Sequence, residues 1–180
     1  PEQKAHILRL LDWASDRDMK LILCDPRCYA AMPHGGKEGV LPNSYADGVR
    51  AASMDFGSHP ATFGFHVGDE PGAAQKELFF ASYRIQREIA PNLHPYANLL
   101  PYFPGMEKRA GCKNWPDYLD EYCRKSNAEL LGWDCYSQMR NGQEGWDGYY
   151  ENLRLHRAAS RRNGVPFWST LLSVGHFRYR

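Results

Sequence analysis

Two acids stand where an apolar run stops. In Gly-Phe-His-Val-Gly-Asp-Glu-Pro-Gly, residues 64–72, the chain passes directly into Asp69, Glu70 and Pro71, and in Gly-Trp-Asp-Cys-Tyr, residues 132–136, a second run ends on Asp134. Two carboxylates at one mouth can divide acid and base work. One, kept protonated by its surroundings, donates to a leaving oxygen, while the other attacks the carbon or activates a water. That division suits cleavage of a glycosidic bond, with a carboxyl separation of about 5–5.5 Å for retention and about 6.5–9.5 Å for inversion. The same residue types also cap helices and form ion pairs, a structural role open to each of these acids.

Strict alternation along residues 64–70 puts Gly64, His66, Gly68 and Glu70 on one face and Phe65 and Val67 on the other. The bulky pair belongs against helices, so Glu70 is expected to point into a pocket. By the same rule Gly132, Asp134 and Tyr136 share a face, and Pro71 restrains the backbone behind Glu70. The catalytic pair expected is therefore Glu70 as proton donor and Asp134 as its partner. Asp25, His66, Asp69, Asn98, Tyr102, Tyr136, Trp168 and His176 lie at or near strand ends and are the candidate substrate contacts. Among them the flat rings suit stacking on sugar faces, although Trp168, like Trp133, fits a helix-facing position equally well.

Positioning these groups requires repeated helix and strand units. Apolar periodicity predicts helices over about 2–17, 43–55, 73–89, 115–126 and 146–162, the last stopped by Asn163-Gly164. Each precedes a short apolar strand, at 21–24, 62–67, 95–100, 129–134 and 165–174. Strand centres fall roughly 30 to 45 residues apart with no hairpin signal between them, which implies right-handed crossovers and a parallel sheet. Open doubly wound sheets and (β/α)8 barrels both satisfy this, and both gather their sites at the C-terminal strand ends. Since eight units usually take about 250 residues, the 180 residues here are expected to form a single, incomplete TIM-type α/β barrel of about five βα units over 1–180. A further segment or a partner chain would then cover the open edge.

Composition excludes several functions. The formal net charge is +1 and the basic residues are dispersed, so no nucleic-acid footprint is present. No apolar run approaches the roughly 18–20 residues of a membrane span. Five cysteines with no CxxC pair read as free thiols, with one disulfide left open. No HxH or clustered His and carboxylate pattern marks a metal, and His34-Gly-Gly-Lys-Glu-Gly39 lacks the order of a phosphate-binding loop, so no cofactor is expected.

The segments MKLILCDPR, GFHVGDEPG, YANLLPYF, LLGWDCYS and VPFWSTLLSVGH, in this order, span almost the whole chain. Together they resemble a group of bacterial (β/α)8 proteins, many from polysaccharide-degrading bacteria, described as glycoside hydrolases or glycosidase-like. The resemblance implies a TIM barrel continuing into further strands, a carbohydrate substrate, Glu70 as acid/base, and a periplasmic or secreted setting. It does not place the second carboxylate. One departure is visible: better-known retaining enzymes of this fold carry Asn-Glu at the acid/base strand, whereas Asp69 precedes Glu70 here. The alternative reading is a carbohydrate-binding protein, or a truncated barrel, without turnover.

Overall fold

The structure is a computed structural model that describes residues 2–30, 41–137 and 145–171. Helices α1 (Glu2–Ser15), α2 (Ser44–Phe56), α3 (Lys76–Ile89), α5 (Trp115–Ser126) and α6 (Trp146–Asn163) precede strands β1 (Leu21–Leu23), β2 (Thr62–Asp69), β3 (Tyr96–Leu99), β4 (Leu131–Asp134) and β5 (Phe167–Thr170). A short helix, α4 (Met106–Ala110), was not predicted. It lies between Gly105 and Gly111, both left-handed, and five residues are too few to display a helical period.

The strands form one parallel α/β sheet in the order β1-β2-β3-β4-β5, as helical crossovers between successive strands require. The chain divides into two compact units, Pro1–Gly68 with Glu77–Tyr96, and Asp69–Lys76 with Ala97–Arg180.

In the first unit β1 pairs with β2 through Ile22 and Gly64 and through Leu23 and Phe65. Phe65 is buried among Leu11 and Ala14 of α1 and Val49, Ala52 and Phe56 of α2, so the predicted helix-facing side of β2 holds there. Gly64 lies against the neighbouring backbone: a Cβ at this position would stand 1.8 Å from the His94 carbonyl oxygen. Alternation then fails at Gly68. Its φ is 155°, and a Cβ there would strike the Phe79 ring of α3 at 2.4 Å, on the helix side rather than opposite it.

In the second unit Leu99, Trp133 and Ser169 occupy paired register positions on β3, β4 and β5. Leu99 and Trp133 are fully buried, and the Trp133 ring stacks on His156 of α6 at 4.7 Å. Asn114 caps α5 by accepting a bond from the Asp117 amide at 2.9 Å, and Gly164 ends α6 in the left-handed conformation, as its stop signal predicts.

His156 gives the unit a pH dependence. Its Nδ1 lies 2.8 Å from the Asn152 carbonyl oxygen, and burial holds its pKa down at about 4, below its usual 6.5. Above pH 6.5 both folded and unfolded chains carry a neutral ring and nothing is lost. As pH falls from 6.5 towards 4 the unfolded chain takes up a proton that the folded one refuses, costing about 3 kcal/mol of stability. Urea unfolding of the wild type and His156→Gln across pH 4–7 checks this. The variant is expected to lose less stability on acidification, and equal losses in both proteins would contradict the assignment.

Candidate active site

The register of β3, β4 and β5 builds the site face. Because Leu99 and Trp133 turn towards the helix layer, the alternate positions Asn98, Asp134, Trp168 and Thr170 share the opposite face. Asn98 is paired with Gly132, and Gly132 with Trp168, while Asp134 pairs with Thr170 two residues further along. Trp168 is 39% exposed. Trp133, by contrast, belongs to the core.

Asp69 and Glu70 enter the same unit from the end of β2. The Glu70 amide donates to the Asn98 carbonyl at 2.8 Å, and the Asn98 Nδ2 donates to Asp69 Oδ1 at 3.0 Å. Glu70 takes a left-handed φ of 43°, uncommon for a residue with a side chain, and the following Pro71 restricts it further. Such a conformation costs of order 1–3 kcal/mol and persists only where surrounding contacts impose it. The side chain is 31% exposed and its Oε2 accepts a bond from Arg109 Nη2 at 3.0 Å.

Electrostatics set this carboxyl apart. Burial raises its pKa above the ordinary glutamate value, repulsion from Asp134 adds to that, Arg109 pulls it back, and Asp69 raises it again. The upward influences prevail. Asp134 itself has one buried oxygen, Oδ1, with no hydrogen-bond partner, and so does the Asn98 side chain. Next to Asp134, burial and then the Asp134 charge push the Cys135 thiol up to about 11, which removes it as a nucleophile near neutrality.

Glu70, Asp134, Asp69 and Asn98 are thus assembled in one unit, with Trp168 on the same strand face as Asn98 and Asp134. Tyr136 follows β4 and is half-buried. Tyr102 is clamped at its backbone, where its amide donates to Asn152 Oδ1 at 2.6 Å and its carbonyl accepts from Asn152 Nδ2 at 2.9 Å; its ring packs on the buried Trp115 at 5.4 Å. His66 and Asp25 belong to the other unit. The His66 ring lies 5.5 Å from both Tyr29 and Tyr96. Asp25 is buried, and Arg27 occupies both of its oxygens at 3.0 and 2.7 Å. His176 lies outside the described residues.

A cavity of about 620 Å³ in the first unit is lined by Glu2, His6, Arg9, Cys24 and Pro26, and none of the predicted site residues borders it. No two of the five cysteines are bridged, so the disulfide left open by the sequence is not formed. Among the described residues no three His, Cys, Asp or Glu side chains are grouped to hold a metal ion, and no helix is long and apolar enough to cross a membrane.

Arg109 is the neighbour of Glu70 that sequence reasoning missed. Nothing in its local pattern announces it, since it sits on the five-residue helix α4. Compared with known protein families the chain matches none, and no curated protein matches it.

Proposed function

We propose that the protein hydrolyses glycosidic bonds in an oligo- or polysaccharide, with Glu70 as general acid and Asp134 as the partner carboxylate, on a sheet that is part of a (β/α)8 barrel. The observation that carries the reading is the gathering of Asp69, Glu70, Asn98 and Asp134 in one unit, with Glu70 bonded to the Asn98 backbone and its carboxyl raised by burial and by the Asp134 charge. A carboxylic acid whose proton is held more firmly than an ordinary glutamate's, beside a second carboxyl group, suits the division of labour that glycoside cleavage needs. Asn98 and Trp168, on the Asp134 face, would hold the sugar by hydrogen bonding and ring stacking.

In the reaction Glu70 gives its proton to the departing glycosidic oxygen as the C–O bond breaks. Asp134 either bonds to the anomeric carbon or takes a proton from the attacking water. A second reading, sugar binding without turnover, is favoured by the Arg109–Glu70 ion pair, which stabilises the charged form of the would-be acid.

Reducing-end release from a panel of oligosaccharides by the full-length protein tests the proposal, run beside Asp134→Asn. Turnover that collapses in the variant supports hydrolysis. Binding without release in both proteins overturns it in favour of the second reading.

A further inference from the structure

We infer that Arg109 is a positioning residue for Glu70, fixing its carboxyl group through a bond to Oε2. The inference rests on the hydrolytic reading above.

The geometry is built rather than incidental. Arg109 belongs to α4, which is locked to the segment that follows Glu70: the Ala73 amide donates to the Arg109 carbonyl at 2.8 Å, and the Lys76 ammonium donates to the Gly111 carbonyl at 3.0 Å. Lys76 is itself tied to Glu121 of α5 at 2.7 Å. The two stretches are in close contact, since a Cβ at Gly111 would stand 2.6 Å from that of Ala73. One short helix, held at its C-terminal end by these contacts, thus carries the guanidinium to the carboxylate.

Among the described residues the charged groups acting on Glu70 are Asp134 on β4, Arg109, and Asp69 beside it. Burial and the two acids favour its protonated form and leave the ionised form in need of an opposing cation. Arg109 supplies that opposition. The guanidinium bonds Oε2 and leaves Oε1 to meet the substrate oxygen.

Arg109→Gln and Arg109→Lys in the full chain test this by two readouts. The Glu70 carboxyl is titrated by carbon-13 NMR, its resonance identified by its loss in Glu70→Gln, and the pH profile of kcat/KM is recorded. In Arg109→Gln the carboxyl titration and the alkaline limb are both expected to move to higher pH, and Arg109→Lys to return them towards wild type. A merely structural role would lower the rate at all pH values without displacing the limb. An unmoved Glu70 titration in Arg109→Gln overturns the inference whatever the activity. A moved titration in a protein whose wild type breaks no sugar bond leaves the Arg109 coupling standing and sinks the hydrolytic reading instead. Arg109 is 56% exposed, so these substitutions leave the packing intact.

Discussion

If Glu70 is the proton donor proposed above, Glu70→Gln is expected to lower kcat by about 10²–10⁴-fold, equivalent to about 3–5 kcal/mol of transition-state stabilisation, while sugar binding persists. The amide is nearly isosteric with the acid and can still accept a bond from Arg109 Nη2. What it lacks is a proton to give at the moment the glycosidic oxygen leaves. Because the amide keeps the size of the acid and its bond from Arg109, ground-state affinity is expected to hold. Steady-state rates with a natural oligosaccharide, paired with calorimetric binding, separate the two effects. An aryl glycoside with a good leaving group should lose much less, because little protonation is needed there. Equal losses for both substrates, or no loss for either, would remove Glu70 from the donor role.

Gly64→Ala is expected to cost at least about 3 kcal/mol of stability, a large share of the roughly 5–15 kcal/mol that holds an ordinary domain together. The added carbon would lie 1.8 Å from the His94 carbonyl oxygen and 2.6 Å from its carbonyl carbon. Both are backbone atoms, and the same residue's amide is bonded to Phe63 at 3.0 Å, so relief requires parting β2 from the chain at His94. No side-chain rotation can absorb the clash. Urea denaturation of the purified variant measures the loss. A midpoint close to that of wild type would mean that the two backbones approach less tightly than described.

These expectations rest on features of unequal visibility in the sequence. The alternation of helix and parallel strand was legible because apolar periodicity and the Gly, Pro and Asn stops mark each unit, as Gly164 does for α6. Glu70 and Asp134 could be singled out because parallel strands deliver their C-terminal residues to one end. The register that puts Asn98, Asp134 and Trp168 on one face was not legible, since Trp133 and Trp168 fit either side until the Trp133–His156 stack decides between them. Alternation brought Glu70 to attention, yet it breaks at Gly68, two residues before. Tyr102 is visible in the sequence as a ring near a strand end, whereas the grip of Asn152, fifty positions away, on its backbone is a pairing that no local pattern reveals. Arg109 escaped notice for a similar reason: its role comes from contacts between α4 and residues 72–76, which only tertiary structure creates.

The left-handed backbone at Glu70 sets foldability against usefulness at a single position. Glycine would adopt a φ of 43° without penalty and would also remove a carboxyl that repels its two acidic neighbours. A library of variants sorted for heat resistance alone should therefore enrich glycine at residue 70, and those survivors should have lost the proposed proton donor. Selection for turnover would bring the glutamate back at a lower melting temperature.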